Sequence, residues 1–333
     1  MHQPSATLIQ MIKVKAQCGD LVNAEAVASA TYGENSTVVR LLRKEFISSD
    51  SLNLDGDWRA AQRAFIEMVR ARSLVGKIAA ASGFYKLPAL TPTLRQTSPL
   101  VASWVAQGNP IATTAASFER IVNEPLKLGA ILPVTQEVLR GVGADFESAL
   151  SAELVRAVAA LEGVTFIDPA NAGVDGETPA SVLYGSTAIA ATDDPAADLK
   201  ALIASFSGDL ETAVFVMNPA TAVSLAAIGF DGIGARGGEL LGVPAVTSSA
   251  VPYDIAAGGL VALVDPRKIL LSDQGVSLDK SDQALVQIGE DSSGDPQYMS
   301  LWQNNCAAIK IVRGLSWQVA QPGCATYLSG VKW

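Results

Sequence analysis

Hydrophobic positions along this chain fall into short runs and spaced stripes whose period changes from segment to segment. Val214–Met217 (VFVM) is an uninterrupted apolar run of strand length. Asn218 follows as a helix N-cap, and Pro219 takes the first helical position, where its missing N–H is harmless. Ala222, Leu225, Ala226 and Ile228 then give a helical stripe of small and medium side chains. Gly237-Gly238 reads as its stop, and Leu240–Val246 as an extended segment closed by Thr247-Ser248-Ser249. The strongest helical period lies in Gly143–Gly163. Asp145 is the candidate N-cap, Phe146, Leu150, Leu154, Val158 and Leu161 recur at spacings of four and three, and Gly163 is the expected end.

Elsewhere the pattern is coarser. Two short helices flank the turn Tyr32-Gly33-Glu34-Asn35, and Asp57 caps a helix with Ala61, Phe65, Met68 and Val69 on one face. Arg59, Arg63, Arg70 and Arg72 lie largely on the other face. Gly83–Pro99 carries three prolines and is extended. Ser103–Ala106 and Ser117–Ile121 read as two strands joined through the turn residues Gln107-Gly108-Asn109-Pro110, with a polar tip over Ala112–Ser117. Such a hairpin is marginal alone in water, so it is expected to lie on another chain. Lys127–Val134 is a strand, Thr135 opens a short helix, 168–181 is a loop, and Asp193-Asp194-Pro195 leads into a helix over 193–204. Gly259–Val264 and Ile269–Ser272 are strands, and the chain from Tyr298 to Leu328 is strand-rich. Helices and strands are segregated rather than strictly alternating, which favours an α+β fold.

Composition bears on what the chain does. Apolar residues make up 49% of the 333 positions and charged residues only 17%. So little charge suits a subunit that hides much of its surface against neighbours. The net charge of −9 is unevenly spread. Residues 1–100 hold 12 Lys+Arg against 8 Asp+Glu, and the remainder 12 against 25. The basic excess is either a solvated helix face or a surface turned toward something anionic. Three cysteines without metal spacing point to folding in a reducing compartment, and no 18-residue apolar run or signal-peptide core occurs.

Catalytic chemistry is sparse. The only histidine is His2, so a triad built on histidine has no base. Gly232–Gly237 matches GxGxxG, but it follows a helix and leads into a strand, the reverse of a dinucleotide site. Those glycines read better as a flexible loop. The loop carboxylates Asp193-Asp194 and Glu290-Asp291 read as caps and solvated groups, although two carboxylates could also serve a hydrolase. Trp302, Trp317 and Trp333 have too few bases around them for a nucleic-acid platform and read as core or interface residues. No cofactor and no metal site is expected, and no enzymatic activity.

The order of VMNP, helix, GG-x-L-x-G-x-P, strand and S-x-x-V-P over Val214–Pro252 resembles the axial domain of tailed-phage major capsid proteins, the Hong Kong 97-type fold. Further motifs extend the resemblance over some 270 residues. Asp57–Val69 and Leu87-Pro88 resemble the segment before the family's extended loop, and Trp104–Gly108 through Phe118 the loop itself, with its SFE return. Leu126–Ala130 and Val134–Leu139 look like the approach to the long spine helix, here 145–161. Leu263–Asp265 and Ser281–Ala284 are similar to later axial-domain strands, and Ser300–Asn305 and Arg313–Trp317 to returning peripheral-domain strands. Gly19–Leu42 is similar to the subset related to Mu-like prophage head proteins, whose members are often made joined to a head-maturation protease. Nothing in these residues resembles a protease or a coiled-coil scaffold.

The resemblance implies an amino-terminal arm (1–57), a peripheral domain (58–100, 122–179 and 296–322), an extended loop (101–121) and an axial domain (180–295 and 323–333). It implies a major capsid subunit that forms hexamers and pentamers of an icosahedral shell around non-specifically held double-stranded DNA. Its partners would be a portal, a head-maturation protease, and decoration or scaffold proteins, with no membrane. It would be assembled in the host bacterial cytoplasm and found in the virion. Trp104, Gln107, Asn109, Phe118, Arg120, Trp302 and Asn304 are the expected subunit-interface residues. Some relatives crosslink a lysine on the extended loop to a neighbour's asparagine. Val101–Ile121 contains no lysine, so these shells are expected to lack that crosslink. Two other readings are weighed against this one: an encapsulin-like nanocompartment shell, and a nucleotide-dependent enzyme using Gly232–Gly237.

Overall fold

The computed structural model describes residues 14, 21–33, 36, 38–39, 67–97, 104–105, 107, 113, 117–141, 144–290 and 294–333. The chain divides into two compact units, each assembled from three segments. The first comprises Met1–Arg72, Leu128–Val158 and Gly275–Arg313, and the second Ser73–Lys127, Ala159–Gln274 and Gly314–Trp333.

The second unit is built on an eight-stranded sheet. Its strands are β5 (Thr187–Ala190), β6 (Val214–Met217), β7 (Ile233–Gly234), β8 (Gly237–Leu240), β9 (Val243–Thr247), β10 (Tyr253–Asp254), β11 (Gly258–Val264) and β16 (Ala325–Val331). The order is β5-β16-β11-β6-β9-β8-β7, with β10 pairing β11. The central strands β6 and β11 are apolar at every position because both faces of the sheet are covered. Val214 and Val216 point into one core with Ala262 and Val264, while Phe215 and Met217 point into another with Val261 and Leu263. The first core is closed by Leu74, Val75 and Ile78 of helix α2 (Leu74–Ala81) and by Phe166 and Ile167, the last residues of helix α4 (Ala144–Ile167). Helices α5 (Pro195–Ser205) and α6 (Pro219–Ile228) close the second with Leu199, Leu202, Ala222 and Leu225. Phe166 lies edge-on to both Phe84 and Trp317, at centroid distances of 6.0 and 5.3 Å, a favoured geometry for aromatic quadrupoles.

Capping explains where these helices begin. Asn218 accepts from Ala220 N–H at 3.0 Å and donates through Nδ2 to the Val251 carbonyl at 3.0 Å, fixing α6 to the 248–252 turn. Asp194 accepts from Ala196 and Ala197 N–H at the start of α5. The buried Asp265 carboxylate takes hydrogen bonds from Thr212 Oγ1 (2.8 Å), Arg267 N–H (3.1 Å) and Asp209 N–H (3.2 Å), which together offset its desolvation.

In the first unit, helix α1 (Leu21–Tyr32) ends at Gly33, as its turn residues suggest. Val69, Leu154, Val155, Val158, Ile309 and Ile311 form a core, with Leu128, Ala130 and Leu132 of β4 (Lys127–Thr135) packed against it. Helix α3 (Gln136–Gly141) follows β4. Strands β13 (Leu285–Glu290) and β14 (Pro296–Ser300) form a two-stranded sheet whose inner residues Val286 and Met299 pack with Leu301, Cys306 and Ala308. The long strand β15 (Cys306–Val319) follows β14, and in the second unit β1 (Tyr85–Lys86) pairs in parallel with the start of β12 (Ile269–Ser281), at Tyr85↔Leu270 and Lys86↔Leu271.

Several sequence expectations need correction. The spine helix does not stop at Gly163 but runs to Ile167, because the missing side chain there admits a neighbour. A Cβ at Gly163 would lie 2.5 Å from the Cβ of Ala250 and 3.5 Å from that of Leu74. Its buried stripe is Leu154, Val155, Val158, Ala159, Glu162 and Phe166, and Leu161 falls off it onto the surface. Asp145 lies inside the helix rather than at its cap. In α6 only Ala222 and Leu225 of the expected stripe are buried; Ala226 and Ile228 are exposed, and the helix ends at Gly229 rather than at Gly237-Gly238. Leu240–Val246 is not one extended segment: Leu240 ends β8, Leu241-Gly242 make the hairpin turn, and Val243–Val246 belong to β9. Asp57, Ala61, Phe65, Phe146 and Leu150 are residues whose side chains lie outside the described set.

Gly232–Gly237 is a tight hairpin between β7 and β8, not a flexible loop. Gly238 has φ +143°, and a Cβ there would lie 2.0 Å from the Gly232 carbonyl oxygen. Gly238→Ala should therefore destabilise the unassembled subunit by at least ~2 kcal/mol through strain and clash. Gly242→Ala has open space and a strained φ of +79° only, and should cost about 1 kcal/mol. Urea titration of both variants measures the difference, and equal losses would remove the clash from the account.

Candidate subunit interface

The expected extended-loop hairpin is displaced toward its base. Strand β3 (Phe118–Val122) pairs not with 103–106 but with β2 (Pro92–Gln96), in the register Leu94↔Arg120 and Gln96↔Phe118. Trp104 and Val105 are not in a strand, and Ser103 and Ala106 lie outside the described residues. The prolines of 83–99 do not prevent the pairing, since Pro92 sits at the strand's first position.

Directly opposed residues share a face, so this ribbon has two distinct sides. Leu94, Phe118, Arg120 and Val122 are all exposed on one side, Leu94 at 66% and Phe118 at 57%. Arg95 and Ile121, on the opposite side, are half-buried. Trp104 is fully exposed, and Gln107 stands exposed in a turn. Trp104 thus stands uncovered beyond a ribbon whose outer face carries Leu94, Phe118 and Val122 beside Arg120. Asn109 lies outside the described residues.

Trp302 and Asn304 belong to the first unit, in the turn between β14 and β15. Trp302 is 76% exposed. Asn304 is also exposed, but its Nδ2 already donates to the Ser300 carbonyl at 2.8 Å and so helps build the turn. Asn305, at φ +52°, donates through Nδ2 to Glu137 Oε1 at 2.5 Å. On β13 and β14 the outward residues Leu285 and Tyr298, together with Ile288 at the register shift, are also exposed. Sequence reasoning missed these and Leu94. Their alternation with buried Val286 and Met299 was visible, but which side faced a core was not.

The structure thus gathers the expected residues into two groups, Trp104, Gln107, Phe118 and Arg120 in one unit and Trp302 and Asn304 in the other. Among the described residues no His/Cys/Asp/Glu group fit to hold a metal occurs, and no helix is long and apolar enough to cross a membrane. Cys324 is buried, and its thiol is pushed up to about 11 by desolvation, which leaves it a packing residue at neutral pH.

Comparison with known proteins gives the family. The Phage capsid family profile matches residues 58–291, more than two-thirds of the sequence. The chain belongs to the phage capsid family. It is 29% identical over 343 aligned positions to the capsid polyprotein of Pseudomonas phage PAJU2, across 93% of this chain and 51% of that protein. The chain therefore spans about half the length of this curated relative. Among solved structures it is similar to the capsid of a native GTA particle (TM-score 0.55, 14% identity, 77% of this chain and 90% of that one). A Gordonia phage Cozz structure gives TM-score 0.55 at 14% identity, over 78% of this chain and 86% of that one. One from Mycobacterium phage Adephagia gives 0.52 at 13%, over 78% and 90%. At such identities the likeness shows the fold, which is the Hong Kong 97-type α+β capsid fold expected from the motifs.

The three carboxyl-terminal tryptophans separate by role. Trp302 is bare, whereas Trp317 is buried and donates to the Ala180 carbonyl at 2.8 Å. Trp333 donates through Nε1 to Asp198 Oδ2 at 2.9 Å, where Thr192 N–H and Oγ1 also donate to the carboxylate. Burial pushes the Asp198 carboxyl up, but the hydrogen bonds from Trp333 and Thr192 outweigh it and hold it below its ordinary value. A carboxyl lowered on folding stabilises above its unfolded pKa, about 3.9 for aspartate, and that stability is lost as pH falls through the folded value. Trp333→Phe should cost about 1–3 kcal/mol at pH 7, and the gap to wild type should narrow toward pH 3. Urea titrations at the two pH values give the comparison, and a gap independent of pH would assign the loss to packing instead.

Proposed function

We propose that the chain is the major capsid subunit of a tailed phage or prophage-derived particle, assembling as hexamers and pentamers into a closed icosahedral shell. The observation that carries this reading is the uncovered hairpin. It extends from a folded unit, presents Leu94, Phe118 and Val122 to solvent and leaves Trp104 bare, which suits a side that neighbours cover. Family membership and the likeness to the capsid of a native GTA particle support the same reading. In it, Trp104, Gln107, Asn109, Phe118, Arg120, Trp302 and Asn304 lie at subunit contacts, and the protein acts by packing rather than by catalysis.

The finer parts of the proposal follow from sequence. The basic excess of residues 1–100 faces packaged double-stranded DNA, neutralising phosphate without reading bases. Assembly takes place in the bacterial host, with a portal and, where present, decoration or scaffold proteins. The PAJU2 relative is a polyprotein of about twice this length, which supports production alongside a head-maturation protease, as in the Mu-like subset. An encapsulin-like compartment would share the fold and differ in enclosing protein instead of nucleic acid.

Deleting Gly108–Ser117 should leave a soluble, folded subunit that forms no particles in negative-stain microscopy. Normal shells from the deletion would remove the hairpin from the assembly. Because Val101–Ile121 contains no lysine, mature particles boiled in denaturant and reductant should run as a single monomer band. A covalent ladder would show a reactive pair elsewhere.

A further inference from the structure

We draw no further inference here: the strongest candidate, the tip of the β10–β11 hairpin in the second unit, where Ile255 is 90% exposed close to the exposed Tyr253, carries no proposal, since nothing in the structure shows what covers it.

Discussion

Two-sided burial of the eight-stranded sheet is the constraint on which the described fold of the second unit depends. A strand covered on both faces must be apolar at every position, and β6 and β11 meet that condition with VFVM and LVALV. Once those strands pair, alternation sends Val214 and Val216 to one side and Phe215 and Met217 to the other. Helices α2 and α4 are then required on one face and α5 and α6 on the other. The caps at Asn218 and Asp194 and the close approach at Gly163 are local devices that bring those helices down onto the sheet.

The hairpin stands outside that logic. Among the described residues nothing in its own unit covers Leu94, Phe118 or Val122, and two strands by themselves bury too little to be stable in water. On the proposed capsid reading, copies of the same chain complete this ribbon. The same holds for the outward side of β13–β14, with Leu285, Tyr298 and Trp302 bare. Low charge and high apolar content, odd for a monomer, are the compositional trace of such surfaces.

Much of this was legible in the sequence. VFVM, the Asn-Pro cap, the Asp-Pro start of α5, the strand at 127–134 and the α+β class all follow from period and punctuation, because capping and two-sided burial are local or nearly local effects. The ordered capsid motifs reached the fold family at identities where composition alone could not. Tertiary contact decided the rest. Glycine at 163 reads as a helix stop until Ala250 is seen against it, and Gly237-Gly238 reads as a stop until Gly232 is found across a tight hairpin. The partner of β3 is 92–96 rather than 103–106 because register is chosen by the face that must be half-buried, and Arg95 with Ile121 supplies it.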